Sequence, residues 1–219
     1  MISTQEISTF LIFQSLLEKN KFYEKREEMY ESMVSYPTDV VFVGDSQTDR
    51  CLWEEFYPQL TVKRRAIPGD TIDGVLSRMD SILATKPSTA FLLIGTNDLY
   101  AAAHTKKGEP ETIDEMMEDY AAILDTFATE SPDTKVYVES VLPMREGDYN
   151  RKDYNESIVE FNDRLSKLCE EKHVAYIDFW TPMAGEDGTL LEEYSLDGLH
   201  ITAAAYRIMK DTIDPLILK

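Results

Sequence analysis

Val40-Val41-Phe42-Val43-Gly44-Asp45-Ser46-Gln47 is the stretch that decides the fold. Four apolar residues run without alternation and then give way to a glycine and three polar residues. A strand with one wet face alternates apolar and polar, so an unbroken run points to a strand covered by helices on both faces, at the centre of a parallel sheet. Outward from it, similar β-rich runs recur at 60–67, 90–94, 136–141 and 174–179, and three of the five runs are continuously apolar. Between them, residues 71–83, 111–129, 156–170 and 202–213 space their apolar positions as helices do. Strand alternating with helix predicts an α/β protein, a three-layer α/β/α domain with a five-stranded parallel sheet and right-handed crossovers.

Upstream of that pattern the rhythm is purely helical. Ser3-Thr4-Gln5-Glu6 is a capping-box sequence ahead of Ile7, Phe10, Leu11 and Leu17, which predicts an opening helix. A second amphipathic helix is predicted over 21–33, ending before Pro37 and packing on the main body. The chain thus divides into an N-terminal helical extension, 1–36, and an α/β domain, 37–219. The total of 219 residues fits one domain with a short appendage.

Composition narrows the partners. With 22 Lys and Arg against 41 Asp and Glu, the net charge is −19, a field that repels nucleic-acid phosphates and anionic lipid. No nucleic acid and no stable membrane association are expected. The 43% of hydrophobic residues is enough for a folded core. Cys51 and Cys169 form neither a C-x-x-C pair nor a disulfide framework. The apolar stretch 7–17 lacks a basic leader and follows Glu6; it is also shorter than the roughly 20 residues of a membrane span. The expected location is cytoplasmic. Self-association through the N-terminal helices stays open.

Ligands of open parallel sheets bind beyond the carboxyl ends of the strands, so the strand exits carry the functional reading. The first run exits into Gly44-Asp45-Ser46-Gln47, the second into Pro68-Gly69-Asp70 and the third into Gly95-Thr96-Asn97-Asp98. The fifth is followed, after a loop, by Asp197-Gly198-Leu199-His200. Ser46, at the start of a helix, reads either as an N-cap or as a nucleophile where backbone N–H groups point outward. Asp197 and His200, three apart, read either as an Asp-Gly turn or as a carboxylate that fixes the imidazole tautomer, leaving Nε2 to take a serine proton. The Asn97 amide, with the backbone N–H groups of Gly69 and Ser46, could complete an oxyanion hole, although Asn and Gly are equally at home in turns. Each signal is weak alone, but four of them at four strand exits form one coherent geometry. G-x-S-x-G, G-x-G-x-x-G and G-x-x-x-x-G-K-[ST] are absent, which excludes the ordinary α/β-hydrolase elbow, a dinucleotide site and a P-loop.

In that combination and order the sequence resembles the SGNH hydrolases, the GDSL-type esterase and lipase family. Gly44-Asp45-Ser46 is similar to the nucleophile block, Gly69 to the glycine block, Gly95 to Asp98 to the asparagine block and Asp197 to His200 to the terminal block. Ile94 to Leu99 and Ser140-Val141-Leu142-Pro143 look most similar to the platelet-activating factor acetylhydrolase-like branch. The resemblance implies a flavodoxin-like strand order of 2-1-3-4-5, no metal or organic cofactor, and ester hydrolysis through an acyl-serine intermediate. It assigns Ser46, Asp197 and His200 as catalytic, and Ser46, Gly69 and Asn97 as the oxyanion hole. The sequence departs from the family at Gln47 and Thr48, where an apolar residue is usual after the serine. Gln47 is expected at the helix or pocket edge, and the departure bears on the acyl pocket rather than on the nucleophile.

The function expected is that of a serine esterase acting on a small-molecule ester, such as an O-acetyl group on a sugar or another metabolite. No long apolar insertion follows the first three strands, which favours short acyl groups. The alternatives are a thioesterase or lysophospholipase with the same triad, or a non-catalytic binding protein on the same fold. His104 and His173 have no second ligand at metal spacing, which speaks against zinc. Cys51 is expected on the helix that Ser46 begins, in a packing role. Trp53, Phe56 and Tyr57 read either as pocket wall or as core.

Overall fold

The apolar runs become five strands of one parallel sheet in the computed structural model, which describes residues 21–33, 36–104, 112–146 and 154–218. The helix expected over 7–17 lies outside them. The chain separates into two units, Met1–Val34 and Ser35–Lys219. In the first, residues 21–32 form helix α1, where the Arg26 guanidinium lies 5.3 Å from the Phe22 ring centroid and 6.0 Å from that of Tyr30.

The second unit runs β1 (Thr38–Gly44), α2 (Ser46–Arg50), α3 (Trp53–Phe56), β2 (Val62–Ala66), α4 (Ile72–Ser77), α5 (Met79–Leu83), β3 (Pro87–Leu93) and α6 (Thr96–His104). It continues with α7 (Ile113–Glu130), β4 (Lys135–Glu139), α8 (Tyr154–Glu171), β5 (Ala175–Ile177), a 3-10 turn (Glu192–Tyr194) and α9 (Ala203–Ile217). Spatial order is β2-β1-β3-β4-β5 with every neighbouring pair parallel, the order the resemblance implied. The chain leaves β1 toward β2, then returns past β1 to β3. The connections therefore diverge on either side of β1, and such a switch point opens a crevice at the carboxyl ends of the strands.

Alternation along β1 feeds two core layers, because successive side chains of a strand point to opposite faces. Val41 and Val43 join Ile72, Val75, Tyr120, Ile123, Ile158 and Phe161 on the layer of α4, α7 and α8. Val40 and Phe42 join Trp53, Tyr57, Ala205, Met209 and Ile213 on the layer of α3 and α9. Trp53 and Tyr57 are core side chains: the Trp53 ring stacks on Phe42 at 4.0 Å and is 1% exposed.

Two local readings change. The single helix expected over 71–83 is two, α4 and α5, parted at Arg78 (φ −109, ψ 20), whose side chain turns inward to a buried carboxylate. Cys51 is not on the Ser46 helix but caps its end in extended conformation; it is 3% exposed, and burial pushes its thiol up to about 12. His173 lies in the turn before β5 with φ +57, on the surface.

Candidate active site

The floor of the crevice is the junction of β1 with α2. Gly44 ends the strand where no side chain fits: a Cβ there would stand 2.3 Å from the Leu93 carbonyl oxygen and 2.4 Å from Thr48 Oγ1. Asp45 then caps α2, its Oδ1 accepting the Gln47 N–H at 2.8 Å. An N-cap carboxylate satisfies a first-turn donor, and here it sets Ser46, half-buried, as the first residue of the helix.

Asp197 to His200 is a tight loop that also brings the Asp197 carboxylate to the His200 imidazole. The Ser195–Ile201 bridge and the Leu196 N–H bond to the His200 carbonyl (2.8 Å) close the loop, while Ser195 Oγ accepts the Gly198 N–H at 2.8 Å. Asp197 Oδ1 accepts the N–H groups of Leu199 (3.1 Å) and His200 (2.7 Å), and Oδ2 lies 2.7 Å from His200 Nδ1. Burial acts to raise the Asp197 carboxyl, but the hydrogen bonds from the His200 side chain and from both backbone N–H groups outweigh it and hold the group below its ordinary value. An ionised Asp197 keeps the proton on Nδ1, so Nε2 presents its lone pair. Ser46 Oγ sits 3.1 Å from that nitrogen.

The residues read as oxyanion donors are positioned by different means. Ile67 to Asp70 makes a turn with Pro68 second and Gly69 third, Gly69 at φ +84 as a type II turn requires, closed by Asp70 N–H to the Ile67 carbonyl at 3.0 Å. The Gly69 N–H is outside that closing bond. Asn97, at the start of α6, directs Nδ2 to the Asp70 carbonyl (2.8 Å) and to Asp45 Oδ2 (3.3 Å). The amide is thereby tied to both neighbouring strand exits.

Sequence reasoning missed the supports beneath these groups. Asp70 and Arg78 form a fully buried ion pair, Arg78 Nε at 2.9 Å and Nη2 at 2.7 Å from Asp70 Oδ2, with Nη2 also donating to the Arg65 carbonyl at 3.0 Å. Asp45 is 1% exposed; burial pushes its carboxyl up to about 7, opposed by the Gln47 N–H and reinforced by the charge of Asp70. Gln47, expected at the helix or pocket edge, lies in the interior. It is 2% exposed, and its Nε2 donates to the Leu199 carbonyl at 2.7 Å. Position within the Gly-Asp-Ser and Pro-Gly-Asp stretches was a signal for Asp45 and Asp70, but nothing local marks Arg78 or the long-range partner of Gln47. His104 ends α6, and its side chain is outside the described residues.

Comparison with known proteins bears on the family and the fold. The sequence model of the GDSL-like Lipase/Acylhydrolase family matches residues 42–208. A GDSL esterase/lipase of Arabidopsis thaliana is 28% identical over 131 residues, 57% of this chain and 42% of that protein, so the match spans well under half of the relative's length. Among solved structures, a candidate platelet activating factor from Streptococcus pneumonia superposes with a TM-score of 0.79 at 25% identity, covering 98% of this chain and all of that one. A variant of an acetyl xylan esterase from Geobacillus stearothermophilus, 18% identical, shares the fold with a TM-score of 0.65 over 84% of this chain and 96% of its own.

Proposed function

This chain belongs to the GDSL-like lipase/acylhydrolase family, and on that premise we propose that it is a serine esterase hydrolysing short acyl esters through an acyl-serine intermediate. The observation that carries the reading is the unbroken series from Asp197 Oδ2 through His200 to Ser46 Oγ, with spacings of 2.7 and 3.1 Å.

Ser46 Oγ attacks the ester carbonyl while His200 Nε2 takes its proton, and Asp197 stabilises the imidazolium without itself accepting the proton. Charge then develops on the carbonyl oxygen, where the N–H groups of Ser46 and Gly69 and the Nδ2 of Asn97 serve as donors, Asn97 through the hydrogen that it otherwise gives Asp45 Oδ2 at a long 3.3 Å. Groups already oriented toward a developing charge need no reorganisation, and that is the source of their effect. His200 next returns the proton to the leaving alcohol. It activates water in the same way to cleave the acyl-serine.

Short acyl groups are favoured on three grounds. The chain passes directly from β1 into α2 and from β3 into α6, leaving no apolar insertion at either exit to bury a long alkyl chain. The net charge of −19 opposes approach to anionic bilayers, and no helix among the described residues is long and apolar enough to cross a membrane. Acetyl esters are also the substrates named for the xylan esterase that shares the fold. The test is kcat/KM on nitrophenyl esters of increasing chain length, below their aggregation limits. The expected maximum is at acetyl to butyryl; a maximum at about eight carbons or more would replace this reading with a thioesterase or lysophospholipase.

A further inference from the structure

Gln47 stands where the resemblance leads one to expect an apolar side chain, and its bonds tie the serine to the histidine. The peptide unit that leads into His200 has two polar groups, the Leu199 carbonyl and the His200 N–H. Asp197 Oδ1 holds the N–H at 2.7 Å. Gln47 Nε2 holds the carbonyl at 2.7 Å, from the residue adjoining Ser46. A peptide plane fixed at both ends cannot rotate, so the direction in which His200 leaves the backbone is set partly by the same short helix that carries Ser46.

Gln47 is itself held. Its N–H is bound by Asp45 Oδ1 at 2.8 Å and its carbonyl accepts the Tyr206 hydroxyl at 2.6 Å. Tyr206 lies in the first turns of α9, the helix that begins three residues after His200. The nucleophile segment and the imidazole segment are therefore joined twice, through the Gln47 side chain and through Tyr206. The preceding carbonyl of the loop, that of Gly198, is anchored separately by the Arg145 N–H at 2.9 Å.

The glutamine is an expensive way to fill the space. Its Oε1 is buried and has no hydrogen-bond partner among the described residues, and a stranded acceptor costs more than the one good bond returns. Leucine or methionine would fill similar volume without the orphaned oxygen. We infer that Gln47 is a positioning residue for ester hydrolysis, holding the Leu199–His200 peptide so that Nε2 stays within reach of Ser46 Oγ; this rests on the serine-esterase reading above.

Gln47→Leu and Gln47→Met test it through rate and stability together. The expected result is an unfolding midpoint close to that of the parent protein, since loss of the orphaned Oε1 offsets loss of the bond to the Leu199 carbonyl. KM should stay within about twofold and kcat fall by about tenfold, since displacements of about 1 Å at a reacting pair cost up to 10²-fold. Inactivation by a serine-directed phosphonate should slow by the same factor. Tyr206→Phe, which removes only the second tie, should lower kcat by a smaller factor at unchanged KM, and it serves if the Gln47 variants do not fold. Folded Gln47 variants with the parent's kcat and phosphonate rate would overturn the inference, as would losses that follow the unfolding midpoint. With Gln47 variants unobtainable, a Tyr206→Phe protein with the parent's kcat would overturn it as well. A parent protein inert to both ester and phosphonate would overturn the esterase reading itself. An active parent with indifferent variants would overturn only the role of Gln47.

Discussion

Glu139, at the end of β4, is a carboxyl placed in the interior of the sheet layer, 2% exposed, with Oε1 lacking any hydrogen-bond partner among the described residues. Burial pushes it from 4.5 up to about 8. Across that window the folded protein keeps a proton that the unfolded chain has released. Stability contributed by the neutral form is therefore complete below about pH 4.5 and is lost as pH rises toward 8, by about 1.4 kcal/mol per pH unit. At pH 7 the loss amounts to about 3 kcal/mol, a large part of the usual stability of a domain. Glu139→Met removes the ionisable group and the orphaned oxygen at nearly constant volume. Urea unfolding of both proteins near pH 5, 6, 7 and 8 is the assay, and taking the difference at each pH cancels the parallel slope from Asp45. The stability of the variant relative to the parent should rise by about 3–4 kcal/mol between about pH 5 and pH 8. A difference independent of pH would refute the reasoning, because it would mean that Glu139 does not titrate on unfolding in this window.

Asn97→Ala should lower kcat by about 10²–10³ with KM little changed, since a single oxyanion donor acts mainly in the transition state; steady-state kinetics on an acetyl ester is the check. Asp197→Asn should leave the fold intact and cut kcat by about 10⁴, because an amide in place of the carboxylate no longer enforces the proton on Nδ1; an effect under tenfold would contradict the orienting role. Arg78→Met strands the buried Asp70 carboxylate and should cost about 3–5 kcal/mol in urea unfolding, a loss that a surface pair such as Arg64–Glu54, at 3.0 Å, would not show on removal.

The parts of this molecule that could be read from its sequence are those governed by local rules. Unbroken apolar runs became central strands because burial on both faces leaves no polar position, as Val40 to Val43 show. Ser46, Asn97 and Asp197 could be found because strand exits in a parallel sheet converge, so residues far apart in the chain share one crevice. The parts that could not be read depend on partners chosen in three dimensions. Residues 71–83 have helical periodicity throughout, yet Arg78 breaks the helix to reach Asp70, a contact that apolar spacing does not encode. Gln47 was read as facing the helix or the pocket edge from its position after the serine, whereas its partner, the Leu199 carbonyl, lies 152 residues away. Glu139 follows the strand pattern of β4 by position but breaks it by charge. The α6 helix was obscured because Gly95 to Asp98, a turn signal, also supplies its first residues.

The most direct measurement of the central claim is mass spectrometry of the protein treated with a serine-directed phosphonate, beside the Ser46→Ala variant, with acetyl-ester hydrolysis followed in the same samples. The account predicts one adduct per chain, mapped to Ser46, loss of turnover in step with labelling, and neither label nor turnover in a folded Ser46→Ala protein. Turnover that survives in folded Ser46→Ala, or an adduct on another residue accompanied by inactivation, would contradict it.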